Sequence, residues 1–327
     1  MRIRESALTL GDTLTADLRK QENIRQTVPV YGWVNSNADN YKQVGQQLNA
    51  MNIDFDICDG LQEGLYQFDS EFLNALELSD LVKNGKIIIV DSTTPIGPLT
   101  VSNLLNGEES SDVLHAGGTL SSIPILAYEV SRAGKRLDEE AERQKYLFGS
   151  NDDMSDMRRP KLLICLPKRK HEEFMKHLTL LHVNVDVIEL LPPLSTIDAS
   201  DSRLSHVKIC LIEPKCSLSA AADPLQFLLM EGIEDDDARL SSLAAGKPLP
   251  QEGLKALLAA SLKLPRTAGT VYLTRSNLGK ENEEVGKFHY LRVNLFIHHM
   301  IYSTICIVHF TIKIWVEVNP NSPKTSY

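Results

Sequence analysis

Short apolar runs alternate along the chain with stretches whose apolar positions recur every three or four residues. The short runs predict buried strands, because a strand covered on both faces shows no polar alternation. They lie at residues 86–91, 112–116, 162–166, 185–190, 207–212 and 269–273. The recurring stretches predict helices, and they lie at residues 97–105, 123–132, 172–181, 224–230 and 254–262. Strands that alternate with helices predict an α/β fold built on a doubly wound parallel sheet.

A smaller unit precedes this alternation. Strand, helix and strand patterns follow one another between residues 28 and 58, and they predict a small N-terminal α/β module. We therefore divide the chain into a polar lead-in at 1–27, this module at 28–84, a main domain at 85–285 and a tail at 286–327.

One charged segment interrupts the main domain. We expect Gly134 to end the helix that begins near residue 123, because glycine is common just past a helix C-terminus. The segment 136–160 that follows is rich in charged residues and is longer than the turn that a helix and the next strand need. We expect it to be a mobile insertion.

The tail differs in composition from the rest of the chain. Residues 295–312 carry no formal charge, and a run of this length is just enough to span a bilayer. Three histidines interrupt it, however, and the β-branched residues 305–308 fit a strand better, so we expect no membrane span. Gly286-Lys287 can be encoded by a splice-donor sequence, which makes translated intron a second hypothesis for the tail.

Charge and cysteine content narrow the possible functions. The formal net charge is −9, which disfavours binding of nucleic acid through bulk electrostatics, because phosphate neutralisation needs clustered Lys and Arg. Local basic groups remain at Arg158-Arg159 and at 168–170. The cysteines form no CxxC pair, so no metal site is predicted. Without an apolar signal region at the N-terminus, we expect an intracellular protein of the cytoplasm or nucleus.

Candidate chemistry lies where predicted strands end. Glu213 and Cys216 follow the strand at 207–212, and parallel strands deliver ligand-binding loops at their carboxyl ends. The alternative is a polar turn with a buried structural cysteine. Gly117-Gly118 lies after another strand and before a helix, where a turn can admit a phosphate or an adenosyl group. A plain tight turn is the alternative there.

These motifs together resemble a known family. Residues 271–283, VYLTRSNLGKENE, resemble the VY-x-T-C-S…E-E-N-E signature of the Sun-domain (Nol/Nop/Sun group) RNA cytosine-5 methyltransferases, and residues 213–217, EPKCS, resemble its D-P-P-C-S motif. Residues 30–35 look like the Y-x-R-x-N of its RNA-facing N-terminal module, and residues 85–105 look like its G-x-x-x-x-Q-D…LL strand and helix. The order and spacing match over roughly residues 28–285, which is most of the chain.

The resemblance implies a Rossmann-like fold of the S-adenosylmethionine-dependent type, with RNA rather than DNA as the partner. In such enzymes the cysteine of T-C-S attacks carbon 6 of a cytosine, and the cysteine of P-P-C helps to release the product. This covalent catalysis needs a thiolate. Here Arg275 stands at the attacking position, and a guanidinium has no lone pair to offer. Cys216 keeps the product-release position, and Glu213 replaces an aspartate near the target base. We therefore expect either a catalytically impaired enzyme or a pseudoenzyme that binds RNA or a protein.

The same comparison shows that this chain lacks several residues of the family's cofactor-binding loop. The family's D-x-C-A-A-P-G-x-K-T loop falls near residues 112–120, which keep Gly117 and Gly118 but lack the proline and the lysine. Leu166-Pro167-Lys168 stands where the family has an acid that grips the ribose. With Gly117, Gly118 and Glu213 as the remaining candidates for cofactor binding, we expect S-adenosylmethionine to bind with a Kd above about 1 mM.

Two arrangements of Arg275 and Cys216 remain open. A guanidinium beside the thiol would lower the pKa of Cys216 below its reference of about 8.5, and Cys216 would then attack in place of the lost cysteine. Alternatively, Arg275 pairs with Glu213 or Glu281 and closes the pocket, which leaves Cys216 inert. We expect the second arrangement.

Overall fold

The computed structural model describes most of the chain from residue 29 to residue 285 and two short stretches beyond it. The described residues are 29–38, 40–58, 64–105, 110–117, 120–148, 158–221, 224–231, 239, 241–242, 245–282, 284–285, 294–295 and 314–316. The predicted lead-in at 1–27 and the β-branched run at 305–308 lie outside them.

The strands of this part of the chain are β1 (Val30–Val34), β2 (Asp56–Ile57), β3 (Leu65–Phe68), β4 (Ile87–Val90), β5 (Asp112–Gly117), β6 (Leu162–Cys165), β7 (Ile188–Leu191), β8 (Val207–Glu213), β9 (Gly269–Tyr272), β10 (Asn294–Leu295) and β11 (Ile314–Val316). Its α-helices are α1 (Tyr41–Ala50), α2 (Leu73–Leu78), α3 (Asp80–Lys83), α4 (Ile96–Leu105), α5 (Ile123–Phe148), α6 (His171–Leu180), α7 (Pro224–Glu231) and α8 (Gln251–Leu262).

The N-terminal module is an antiparallel sheet in the order β2-β3-β1-β4. Val44 and Leu48 of α1 pack against it and are fully buried. We expected β4 to open the main domain at residue 85, but it pairs with β1 in this first sheet. Apolar periodicity predicts that such a run is a buried strand, but it does not identify the sheet that receives the strand.

The main sheet has the order β10-β11-β9-β8-β5-β6-β7, and its five strands from β9 to β7 run parallel. This confirms the predicted α/β fold with a doubly wound parallel sheet. Because these strands are parallel, their carboxyl ends meet at one edge of the sheet. Glu213 at the end of β8 and the residues that follow β9 are brought together there.

Helices cover both faces of the main sheet. Apolar side chains of α4, α5 and α6 form the core on one face, and those of α8 contribute to the core on the other. The helix α5 runs for 26 residues to Phe148, so Gly134 does not end it and the first half of the predicted insertion is helical. The charged residues after Gly134 include many good helix formers, which explains why the helix continues.

Two buried side chains, one in β1 and one directly after it, join the N-terminal module to the main domain. Asn35 Nδ2 donates to the carbonyl oxygens of Gly85 at 2.8 Å and Leu181 at 2.5 Å. Trp33 is fully buried in a cluster that includes Ile125 of α5. These two side chains belong to the stretch that resembles an RNA-facing motif, but neither faces solvent.

The described part of the tail extends the main sheet. β11 pairs antiparallel with β9, and β10 pairs antiparallel with β11. β11 thereby covers the edge of β9, whose N–H and C=O groups would otherwise need another partner. Among the described residues, no helix is both long enough and apolar enough to cross a membrane.

Candidate functional site

Glu213 lies fully buried at the carboxyl end of β8. Its Oε2 accepts a hydrogen bond from Ser122 Oγ and lies 3.1 Å from His115 Nε2. Its Oε1 has no hydrogen-bond partner and lies 3.8 Å from Arg275 Nη1. One carboxylate oxygen is therefore hydrogen-bonded, whereas the other is stabilised only by the charge of the guanidinium.

The guanidinium of Arg275 is packed into the interior, and the residue is only 4% exposed. Its Nη2 donates to Thr94 Oγ1 at 3.1 Å, and its Nε lies 3.8 Å from Asp91 Oδ1. The ring of Phe227 lies against it, with its centroid 4.4 Å from Cζ, which is the geometry of a cation–π contact. Of the two glutamates expected to pair with Arg275, Glu213 forms the ion pair.

Cys216 lies directly beside Arg275 but contacts its backbone. The Arg275 N–H donates to Cys216 Sγ at 3.3 Å, and Cys216 is only 2% exposed. Burial raises the pKa of the Cys216 thiol above its ordinary value, because the thiolate would lose its hydration. The backbone N–H groups of Leu218 and Arg275 and the charge of Arg239 lower the pKa, but burial outweighs them, so the expected net lowering by a guanidinium is not found.

Glu281 is a second fully buried carboxylate at the same edge of the sheet. Both of its oxygens accept hydrogen bonds from the Ser217 backbone N–H, and Oε2 also accepts from Ser217 Oγ at 2.6 Å. Oε1 accepts from the Leu249 N–H at 2.7 Å. Glu281 therefore ties the loop after β8 to the segment that precedes α8.

Gly117, which was predicted to belong to a cofactor-binding loop, is required by the close approach of the Glu213 backbone. Gly117 has a φ of +145°, and a Cβ at this position would lie 2.0 Å from the Glu213 carbonyl oxygen. The backbones at the ends of β5 and β8 therefore approach too closely for any side chain. This favours the tight-turn interpretation for Gly117, whereas Gly118 lies outside the described residues.

The carboxylate of Glu231 is bound to backbone N–H groups at the N-terminal end of helix α5. Glu231 Oε2 accepts from the Leu120 N–H at 2.5 Å, and Oε1 accepts from the Ser121 N–H at 2.9 Å. These amides belong to the loop in which the family would hold S-adenosylmethionine, and the place of the ribose-binding acid is taken by the apolar, buried Leu166. The residues present do not fit this cofactor, because a protein carboxylate already binds the loop amides and the ribose has no acid to hold it.

Several residues of this site escaped prediction, Thr94 among them. Three of them, His115, Ser122 and Glu231, have polar side chains within or beside apolar stretches, and Phe227 fits an ordinary helix core. His115 could have been suspected from its position, since it interrupts the run at 112–116. Phe227 and Glu231 could not, because they reach the site only through the packing of α7.

The predicted basic groups differ in their surroundings. Arg158 forms two hydrogen bonds with the Asp112 carboxylate, at 2.6 and 2.8 Å, and Arg159 pairs with Asp138 at 2.9 Å. Residues 168–170 form a turn after β6, at the same edge as the site, in which Lys168 and Arg169 are exposed and Lys170 is half-buried. Within the described ranges, no group of three or more His, Cys, Asp or Glu side chains is placed to hold a metal ion.

Several known proteins are similar to this chain. The mouse protein named "Putative methyltransferase NSUN7" is 24% identical over 305 residues, which cover 87% of this chain. The human protein of the same name is 25% identical over 306 residues, which cover 88% of this chain. The chain spans only 38% of the length of each of these relatives. No family model matches the chain.

Solved structures share its fold. A methyltransferase homolog protein from Pyrococcus horikoshii superposes with a TM-score of 0.52 at 15% identity, covering 82% of this chain and 71% of that one. The NSun6 protein from the same organism, solved with SFG, has a TM-score of 0.51 at 10% identity, covering 90% of this chain and 91% of that one. The resemblance predicted from the motifs is thus confirmed: the chain is a relative of the proteins named putative methyltransferase NSUN7, and it has the Rossmann-like fold of a methyltransferase.

Proposed function

We propose that this chain is a pseudoenzyme of the RNA cytosine-5 methyltransferase type, which has lost the covalent reaction and acts by binding RNA. The observation that carries the proposal is the state of Arg275. It stands at the position of the family's nucleophile, and its guanidinium is fixed by Thr94, Phe227 and the nearby carboxylates of Asp91 and Glu213. A guanidinium has no lone pair with which to attack a pyrimidine.

The geometry also disfavours attack by Cys216. A nucleophilic cysteine needs a thiolate that the substrate can reach. Here the pKa of the thiol is raised by burial, and Sγ is covered by the Arg275 backbone N–H. For Cys216 to reach a base, the loop after β9 would have to move away from the loop after β8.

RNA is proposed as the partner because of the family resemblance and the charge at one edge of the main sheet. Lys168, Arg169 and Lys170 form a turn at the carboxyl edge, where ligands of parallel sheets bind. Clustered cations at this edge would contact phosphates, whereas the overall charge of −9 would keep binding dependent on that local cluster.

Trapping on RNA that contains 5-azacytidine tests the loss of chemistry, because this base holds the covalent adduct. We expect no adduct from the wild-type chain, while a family member that keeps the T-C-S cysteine forms one in the same assay. An adduct from the wild-type chain that disappears in Cys216→Ala would overturn the proposal and establish Cys216 as a substitute nucleophile.

Crosslinking to RNA tests the binding. We expect the variant Lys168→Glu/Lys170→Glu to lose about tenfold or more in affinity, since a phosphate that no lysine neutralises keeps its counterions instead of releasing them. The matched control is Lys263→Glu/Arg266→Glu, which makes the same charge change just before β9, at the opposite edge of the sheet. Equal losses in the two variants, or no RNA binding by the wild-type chain, would contradict the proposed RNA role.

A further inference from the structure

The helix α7 connects two parts of the site that are distant in sequence. At its end, the Glu231 carboxylate binds the N–H groups of Leu120 and Ser121, which lie just before Ser122 and the start of α5. Free amides ahead of a long helix, together with the positive end of its dipole, favour an anion. The Glu231 carboxylate shows that an anion can bind to these two amides.

The middle of the same helix covers the guanidinium. Phe227 is 3% exposed, and its ring centroid lies 4.4 Å from Cζ of Arg275 and 5.8 Å from Cζ of Arg239. Phe227 and Glu231 are four residues apart, so they lie on one face of α7, about one turn from each other. The short helix α7 therefore contacts both the Leu120 and Ser121 amides and the guanidinium of Arg275.

We propose that α7 is a built-in plug, in which Glu231 serves as an intramolecular ligand of the degenerate cofactor loop. In this arrangement an external carboxylate or phosphate binds the Leu120 and Ser121 amides only when Glu231 has left them. The inference concerns competition for the loop, so it does not depend on whether covalent chemistry or RNA binding is present.

The surroundings of the loop indicate what would replace Glu231. A cavity of about 830 Å³ extends from it between the N-terminal module and α6. Leu120, Ser121 and Glu231 line one part of it, and Leu166 and Lys170 also contribute to its walls. The ligand class that fits is a small organic anion, whose carboxylate or phosphate takes the amides and whose body enters the cavity.

Amide hydrogen exchange tests the latch itself. In Glu231→Ala, we expect the exchange of the Leu120 and Ser121 amides to accelerate about tenfold or more, because each loses a bond to a charged acceptor. The matched control is Glu173→Ala, which removes a carboxylate from the wall of the same cavity and should leave both amides at wild-type rates. Equal exchange in the wild-type chain and Glu231→Ala would overturn the inference.

Calorimetry tests the competition, with acetate as the carboxylate probe and inorganic phosphate as the phosphate probe. We expect at least one probe to bind Glu231→Ala about tenfold more tightly than it binds the wild-type chain or Glu173→Ala. The probe that gains affinity identifies the preferred anion. If Glu231→Ala does not fold, Glu231→Gln removes the charge while keeping the volume, and the same gain is expected. A folded Glu231 variant that gains affinity for neither probe would overturn the inference.

Discussion

Glu213 and Glu281 are both fully buried at the same edge of the main sheet, yet their surroundings differ. Both oxygens of Glu281 accept hydrogen bonds, and two of the donors are backbone N–H groups. Only one oxygen of Glu213 is hydrogen-bonded, and the other lies 3.8 Å from the guanidinium of Arg275.

The difference separates a carboxylate held by backbone groups from one held by side chains. Backbone donors are left without an acceptor when Glu281 is removed, so the loops after β8 and before α8 depend on it. The environment of Glu213 is made of side chains that can rearrange, including His115, Ser122 and Arg275. Buried charge with an unused acceptor is typical of a place shaped for a ligand rather than for stability.

The largest expected effect comes from removing Glu281. Glu281→Ala leaves the Ser217 and Leu249 N–H groups without their acceptor, and we expect it to lower the free energy of unfolding by about 4 kcal/mol. Urea denaturation measures this loss. The exposed Glu284→Ala is the control and should change stability by less than about 0.5 kcal/mol. A loss below about 1 kcal/mol in Glu281→Ala would show that Glu281 does not have this structural role.

Arg275→Met should have the next largest effect. The substitution leaves the carboxylates of Glu213 and Asp91 without their cation, so we expect a loss of about 2 kcal/mol. Adding Glu213→Gln in the same chain should recover about half of it, because one uncompensated charge disappears. Urea denaturation of the two single variants and the double variant gives the coupling energy. Strict additivity would mean that Arg275 and Glu213 do not stabilise each other.

Glu213→Gln alone should cost less than about 1 kcal/mol. The amide oxygen can still accept from Ser122 Oγ, and Arg275 keeps Asp91 at 3.8 Å from its Nε. The same denaturation assay compares this variant with Glu281→Ala. If the two lose similar amounts of stability, the distinction between the two glutamates fails.

The sequence predicts the fold better than it predicts the site. Strands such as β5 and β8 are apolar along their length, so periodicity locates them, and order along the chain then predicts a doubly wound parallel sheet. The placement of β4 was wrong because pairing partners are set by tertiary packing. The end of α5 was wrong because one glycine does not outweigh a run of helix-forming residues.

Within the site, the sequence predicts which strand ends meet but not which side chains meet. Cys216 and Arg275 were expected to be neighbours, and they are, but the contact is from the Arg275 backbone N–H. Burial decides the pKa of the thiol, and the direction in which the Arg275 side chain points decides the contact; periodicity specifies neither. The role of Glu231 depends in the same way on how α7 packs.

Cys216 provides the smallest expected effect. Burial raises the pKa of its thiol in the folded state above the ordinary value of 9.0, so the folded chain keeps a proton that the unfolded chain loses. The thiol therefore contributes its full stability below pH 9, and that contribution decreases as the pH rises above 9. Between pH 9 and 10 we expect a loss of no more than about 1 kcal/mol from this group, measured as urea midpoints across the range. Cys165 and Cys210, whose pKa burial raises to about 12, lose stability in the same window, so Cys216→Ala must flatten the profile only in part. A wild-type profile that rises between pH 7 and 8, and no longer does so in Cys216→Ala, would mean that Cys216 is a thiolate in the folded chain near neutral pH, and the site would then hold a usable nucleophile.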